Sequence, residues 1–335
     1  MLKTLLVAGL IAGVGNVSAV QAAGKTLKFA VFTPAKELTN QTIFVPWAKR
    51  VSRDSGGVVD VKVFANGALG RHPGKQIKMI QDGVADVAWV IPAYTPGRFP
   101  DNAVFELPNI IQNSREGSVA AYRMYKKGLL RGHDDFYVVG FFVSAPYTIH
   151  MKKKITSMDQ LKGLKIRAVG PVMVASIKAL GAAPEPLPFT KITEAISRGR
   201  INGTTAHPIA LHDFGIARVT KSHYFGRLGT VPLAVLMNRK VYHGLPAKVR
   251  AAIDKNSGES LSIAFGEMSE TRNKELHGIW KKDGSRTVTD QSAAEAKAWD
   301  AALAPVITEW VKANARNAKL IAALKGTLKN IRAGN

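Results

Sequence analysis

Alternating apolar and polar residues predict three strands near the start of the chain, with a helix after each of the first two. The strands are expected at 27–32, 58–64 and 86–91, and the first helix carries apolar residues along one face. Strand, helix, strand, helix, strand at this spacing predicts a parallel sheet with right-handed crossovers. Ligands of such sheets bind beyond the carboxyl ends of the strands.

The pattern of strands and short helices restarts at Lys153, which indicates a second domain. Two further strands are predicted before that point, at 137–143 and 147–151, and the second is expected to cross into the new domain. Another strand is expected at 230–238. The fold class predicted is therefore α/β.

The last third of the chain is mainly helical. Apolar periodicity predicts a long helix at 247–278 and two C-terminal helices at 293–314 and 318–331. Gly258 and Gly266 can break the long helix, and Pro305 is expected to interrupt the next one.

Residues 1–22 have the composition of a secretory signal peptide. Lys3 supplies a positive charge, residues 5–14 are apolar, and residues 20–22 form a small-residue cleavage site, so the exported chain should begin near Ala23. An ordinary buried N-terminal helix is the alternative. No later run of about twenty apolar residues could span a membrane, so we expect a soluble protein of the bacterial periplasm.

The chain is strongly basic, with a formal net charge of +23. Such a charge favours anionic partners, which include carboxylate substrates, anionic membrane surfaces and nucleic acid. The lysines and arginines are spread along the whole chain, and no basic arm, zinc-finger spacing or aromatic RNA-binding motif accompanies them. We therefore interpret them as a solvated surface and expect no nucleic-acid partner.

Motifs for catalysis are missing. The sequence lacks G-x-S-x-G, H-E-x-x-H and G-x-x-x-x-G-K-[ST], and its eight histidines are scattered. His207 and His212, five positions apart, would not share a helix face as metal ligands. We expect no enzyme, no cofactor and no metal site.

Arg167 is the strongest candidate for a binding residue. Gly163 permits a sharp turn, residues 164–166 alternate as a strand would, and the strand delivers Arg167 to its C-terminal end. A guanidinium is always charged and matches a carboxylate in two parallel hydrogen bonds, which predicts a small organic acid as ligand. The alternative is an arginine that is exposed or that pairs with a structural carboxylate.

Several linked motifs resemble the solute-binding proteins of tripartite ATP-independent periplasmic (TRAP) transporters. They are LKGLKIR at 161–167, ALGA at 179–182, PFTKITEA at 188–195 and GRING at 199–203, preceded by VFANGALG at 63–70 and DGVADVA at 82–88. The resemblance covers nearly all of the chain after residue 22.

This resemblance implies a two-lobed periplasmic binding protein fold, in which the lobes close on the ligand and a long helix bridges them. The first lobe is expected to contain 23–148 and about 231–270. The second is expected to contain 149–230 and about 271–335, which includes the C-terminal helices.

In the family, the arginine that matches Arg167 holds the substrate carboxylate, and the residue that matches Phe189 lines the ligand. Phe189 could equally be a core residue. The family's D-G-x-x-N-P segment falls on 202–208, where the acid is Asn202 and the amide is missing, so His207 is a candidate for the vacated place. A purely structural histidine is the alternative.

Trp89 and Tyr94 follow the third strand, where the family places side chains that face the ligand. Both can instead pack in the core, and for Trp89 we favour the core. A second arginine found in sialic-acid-binding relatives has no counterpart, since the corresponding stretch here is APYTIH at 145–150. One principal carboxylate is therefore expected, with apolar or aromatic wall around the rest of the ligand.

The resemblance implies a periplasmic TRAP receptor that captures a small organic acid and delivers it to the integral-membrane permease subunits. We expect a monomer. The competing hypothesis is a periplasmic receptor for an ABC importer or a sensor kinase, because such receptors share the cleft and the use of arginine.

Overall fold

A computed structural model describes residues 24–334, so the predicted signal peptide lies outside the described residues. The strands are β1 (Lys25–Ala30), β2 (Val59–Phe64), β3 (Val87–Val90), β4 (Phe136–Val143), β5 (Thr148–Met151), β6 (Lys165–Ala168), β7 (Ala183–Pro186), β8 (Gly203–Ala206), β9 (Ser222–Phe225), β10 (Pro232–Asn238) and β11 (Thr287–Asp290). The α-helices are α1 (Val45–Asp54), α2 (Gln76–Gln81), α3 (Ser114–Lys126), α4 (Gly170–Ala179), α5 (Ile192–Ser197), α6 (Pro208–Asp213), α7 (Arg239–His243), α8 (Ala247–Asn256), α9 (Glu259–Lys282), α10 (Ala293–Lys312) and α11 (Ala315–Arg332).

The strands form two separate sheets, which confirms the α/β class and the two lobes. The first sheet has the order β2-β1-β3-β10-β4, with β1, β2 and β3 parallel and β10 antiparallel to both neighbours. The second has the order β11-β9-β5-β8-β6-β7. Its strand β6, which carries Arg167, runs parallel to β7 and β8, whereas β5 runs antiparallel to β8 and β9.

Local sequence explains the elements that flank the site. Strand β4 and the first six residues of β10 are almost entirely buried, because helices cover the sheet and a strand covered on both faces must be apolar throughout. Helix α1 is amphipathic and buries Trp47, Ala48 and Val51 against the same sheet.

Two chain segments cross directly between the sheets. Residues 144–147 connect β4 to β5, and residues 226–231 connect β9 to β10. The two segments pair with each other: the Tyr147 amide donates to the Gly229 carbonyl at 3.0 Å, and the Leu228 amide donates to the Tyr147 carbonyl at 2.8 Å. These paired segments lie where the resemblance implies a hinge between the lobes.

The predicted long helix is two helices. A break at Gly258, whose φ is +89°, separates α8 from α9. Helix α9 continues through Gly266, where a Cβ would lie 2.4 Å from Arg115 Cα, so this glycine permits close packing on α3 instead of a break. Because α9 also contacts α6 and β11, it bridges the two lobes as expected.

The C-terminal helices differ from the prediction in two respects. Helix α10 runs without interruption through Pro305 while packing against α4, so the predicted break at this proline is wrong. Helix α11 packs against α3, beside the first sheet, although the sequence grouped it with the second lobe. The other residue limits of the two lobes stay a prediction.

Asp101 ties α11 to the first lobe. Its buried carboxylate accepts hydrogen bonds from Arg131, with a shortest distance of 2.7 Å, and from Arg316 at 2.9 Å and 3.0 Å. Asp101→Asn should lower the free energy of unfolding by about 1–2 kcal/mol, because two charge-assisted pairs are lost but both arginines keep partial access to water. Urea unfolding measures this effect. Asp60→Asn, an exposed acid on β2, is the control; equal stability of the two variants would contradict the role of Asp101.

Candidate ligand-binding site

A cavity of about 60 Å³ lies between the two lobes. A cavity needs roughly 10–15 Å³ to hold one water, so this one exceeds the space of a single water. Its apolar lining consists of Phe32, Trp89, Ile91, Phe189, Ile209, Ala210, Phe214, Leu233 and Phe265, and its polar lining of Thr33, Glu37, Thr39, Tyr147 and His207.

Aromatic side chains fix the shape of this cavity. Trp89 is 4% exposed and packs against Phe44 with ring centroids 4.8 Å apart. On the opposite lobe, Phe189 meets Phe214 edge to face at 4.8 Å. Such contacts hold each ring in one orientation, so the cavity presents preformed flat walls.

Arg167 is completely buried at the end of β6. Its Nε donates to the Leu187 carbonyl at 3.0 Å and its Nη1 to the Thr205 carbonyl at 3.4 Å. Its guanidinium lies 5.0 Å from the centre of the Phe189 ring. Among the described residues no carboxylate forms an ion pair with Arg167, so the chain compensates this buried charge only with neutral groups.

Tyr94 connects the first lobe to Arg167. Its hydroxyl oxygen accepts from Arg167 Nη2 at 3.0 Å and from the Phe189 amide at 2.9 Å. A hydroxyl has two acceptor positions and one donor, so both acceptor positions are occupied and the proton remains to be donated. Three of the five N–H groups of Arg167 have partners in these bonds, and the Tyr147 hydroxyl is a further hydrogen-bonding neighbour. At least one N–H group therefore remains for another acceptor.

Arg167 and Tyr94 lie directly behind the cavity wall. Phe189 and Tyr147 belong to the wall, and each is a neighbour of Arg167. Burial raises the pKa of Tyr147, while the positive charge of Arg167 acts in the opposite direction. The Tyr147 hydroxyl therefore stays protonated at neutral pH, between the guanidinium and the cavity.

His207 lies on the cavity wall at the start of α6. Its Nδ1 is buried and has no hydrogen-bond partner among the described residues. Burial lowers the pKa of His207 to about 4, so the ring is neutral at pH 7. An unpartnered nitrogen of this kind is costly unless a ligand or a water completes its hydrogen bond.

Glu37 is the one carboxyl group in the lining given above. Its Oε2 accepts from the Thr33 hydroxyl at 3.2 Å and from the Asn40 amide at 3.1 Å. Burial raises the pKa of Glu37 to about 7, and the nearby Asp213 acts in the same direction. The next residue, Leu38, joins the lobes, because its amide donates to Asp213 Oδ2 at 3.0 Å.

Glu106 is a second buried carboxyl group, located outside the cavity lining. It is 3% exposed, and its Oε2 has no partner among the described residues. It lies against the start of α4, where a Cβ on Gly170 would come within 2.6 Å of Oε2. Burial raises the pKa of Glu106 to about 8.

The structure thus brings the five predicted residues together. Trp89, Phe189 and His207 line the cavity, and Tyr94 and Arg167 lie behind it. Sequence reasoning missed Glu37 and Tyr147, which lie in connections between elements and match no motif that we used. Whether these residues hold a ligand stays a prediction.

Residues 24–334 contain no cluster of three or more histidine, cysteine, aspartate or glutamate side chains that could hold a metal ion. Over the same range, none of the helices combines the length and the apolar character needed to cross a membrane.

Two α/β lobes joined by paired chain segments, with a cavity between them, are the architecture of a two-lobed solute-binding protein. Residues 29–314 match the sequence model of DctP, bacterial extracellular solute-binding protein, family 7. The chain belongs to this family. The C4-dicarboxylate-binding periplasmic protein DctP of Rhodobacter capsulatus is 28% identical over 282 residues, which cover 81% of each chain.

Solved structures of TRAP solute-binding proteins share the fold, which confirms the resemblance seen in the motifs. One, from Rhodoferax ferrireducens T118 in complex with copurified benzoate, superposes with a TM-score of 0.86 at 28% identity, over 92% of this chain and 99% of that one. Another, from a marine metagenome and specific for aromatic acid ligands, was solved with metahydroxyphenylacetate. It superposes with a TM-score of 0.85 at 27% identity, over 91% of this chain and 99% of that one.

Proposed function

We propose that this TRAP solute-binding protein captures an aromatic monocarboxylate in the periplasm and delivers it to the membrane permease subunits of its transporter. The observation that carries the proposal is Arg167: a fully buried guanidinium without an acidic partner among the described residues, adjacent to an aromatic cavity. A buried cation of this kind is costly unless it is paired, so a ligand carboxylate would complete the site.

The carboxylate would reach Arg167 past Phe189 and Tyr147 of the cavity wall, at the position that Tyr94 now occupies behind it. The Tyr94 oxygen now accepts one guanidinium N–H and one backbone N–H, the pair of donors that suits a carboxylate oxygen. A ligand oxygen can take this position when Tyr94 moves aside, or can use the remaining N–H groups while Tyr94 donates its proton to it. Both routes give the carboxylate at least two hydrogen bonds.

The rest of the ligand would lie between the aromatic walls. Trp89 and Phe189 belong to opposite lobes, so a flat ring between them contacts both lobes at once and favours the closed arrangement. The relatives solved with benzoate and with metahydroxyphenylacetate support a ligand of this class. A C4-dicarboxylate, which the name of the Rhodobacter relative indicates for that protein, would place a second charge against apolar surface.

A thermal-shift screen of the exported chain, starting at residue 23, tests the proposal. Benzoate, hydroxybenzoates and arylacetates should raise the melting temperature, because a ligand that binds the folded state stabilises it. Succinate and malate should not, at the same concentrations. Stabilisation by C4-dicarboxylates and by no aromatic acid would refute the proposal, and calorimetric titration of each positive compound gives the dissociation constant.

A further inference from the structure

Glu37 has no assigned role in the recognition of a carboxylate, yet it lies in the cavity wall. It belongs to the connection between β1 and the helical turn at 40–44, and its side chain is 8% exposed. Among the described residues it forms no ion pair with any lysine, arginine or histidine. A carboxyl group without a cation, in a wall that is otherwise apolar or neutral, requires an explanation.

Hydrogen bonding at the start of the helical turn accounts for one oxygen of the Glu37 carboxyl group. The hydrogen bonds from Thr33 and from the Asn40 amide at the helical turn converge on Oε2. The Thr39 hydroxyl is a further donor to this carboxyl group. Oε1 therefore accepts at most the Thr39 hydroxyl and keeps at least one lone pair for a ligand. Thr33 and Thr39 flank it in the cavity lining, so one end of the cavity is polar and belongs to the first lobe.

The charge around Glu37 restricts which ligand group can lie next to it. Burial, with a smaller effect from Asp213 of the second lobe, raises the pKa of Glu37 to about 7, so both acids carry negative charge here above that pH. Arg167 is the cation of the site, and it lies behind a different part of the wall, next to Phe189 and Tyr147. A ligand carboxylate is attracted to the Arg167 end, and a hydrogen-bond donor is favoured at the Glu37 end.

We propose that Glu37 is a specificity-determining residue that accepts a hydrogen bond from a hydroxyl group on the ring of the bound aromatic acid and disfavours a second carboxylate at the same position. This inference rests on the proposed function. It narrows the ligand class from aromatic acids in general to hydroxylated aromatic monocarboxylates.

Calorimetric titrations at pH 8.5 with benzoate, the three hydroxybenzoate isomers and isophthalate test the proposal. The wild-type protein should bind at least one hydroxybenzoate about tenfold or more tightly than benzoate, the usual gain from a hydrogen bond to a charged group. It should bind isophthalate more weakly than benzoate. Equal affinities for benzoate and every hydroxybenzoate would overturn the proposal.

Two variants separate recognition from helix capping. Glu37→Gln keeps an acceptor but loses the charge, so it should retain the preference for the hydroxybenzoate and bind isophthalate about tenfold better than wild type does. Glu37→Leu should lose the preference while it still binds benzoate. If Glu37 only caps the helical turn, Glu37→Gln will match wild type for every ligand and Glu37→Leu will weaken all ligands by the same factor, which contradicts the proposal. Failure of wild type to bind any aromatic acid would refute the proposed function itself.

Discussion

Replacing Arg167 by methionine should lower the affinity for an aromatic carboxylate by about 2–5 kcal/mol, roughly 30-fold to 5,000-fold. Methionine fills similar space but supplies neither charge nor donors, so the ligand carboxylate would be buried without a partner. Arg167→Lys should give an intermediate loss, because it keeps the charge but not the planar fork of N–H groups. Calorimetric titration with the tightest ligand from the screen measures both effects.

Both substitutions alter the protein interior, because the guanidinium donates to Leu187, Thr205 and Tyr94 there. Circular dichroism at the titration temperature must therefore show that each variant is folded. Lys165→Ala, an exposed residue on the same strand, is the matched control and should bind as wild type does. An Arg167→Met protein that is folded and binds with unchanged affinity would refute the role of Arg167.

Replacing Glu106 by glutamine should stabilise the protein at alkaline pH. Burial raises the pKa of Glu106 to about 8 from its ordinary value of 4.5, so the folded state keeps a proton that the unfolded state has already released. The contribution of Glu106 to the free energy of unfolding of wild type is fully present below pH 4.5. It is lost as pH rises towards 8, by up to about 1.4 kcal/mol per pH unit. Glutamine carries no such proton, so its advantage should grow to about 3–5 kcal/mol at pH 8.

Urea unfolding of wild type and Glu106→Gln at pH 5 and pH 8 checks this expectation. Comparing the two proteins at each pH removes the contributions of other buried groups, such as Glu37 and the buried histidines, which titrate in both. Glu194→Gln, an exposed acid on α5, is the control and should show no such trend. A stability difference that is the same at both pH values would show that Glu106 is ionised in the folded protein.

Much of the fold could be predicted from the sequence, because local patterns determine it. The strand around Trp89 is an apolar run, and the strand around Arg167 follows an alternation of apolar and basic residues after a glycine turn. The motifs placed both residues near strand ends. The role of Gly266 could not be read in the same way. A side chain at position 266 would collide with Arg115, which lies 151 positions earlier in the chain. Only the packed structure therefore distinguishes a close helix contact from a helix break.

The place of Glu37 in the site was beyond sequence reasoning for a similar reason. Glu37 lies in an irregular connection, and nothing nearby in sequence distinguishes it from an exposed acid. Its burial depends on a second lobe that supplies Phe214 and Asp213 from far along the chain. A sequence motif can identify a residue that a single strand or helix positions. The burial and the raised pKa of Glu37 depend on two elements that meet only in the folded protein.

The paired segments at 144–147 and 226–231 restrict how the two lobes can move relative to each other. Because they are hydrogen bonded to each other, they must bend in concert. Helix α9 forms a third connection, and the turn between α10 and α11 forms a fourth. Connections of this kind permit rotation about essentially one axis and resist twisting. We therefore expect the open and closed proteins to differ by a single angle, so that one spectroscopic distance measured between the lobes would report the whole transition.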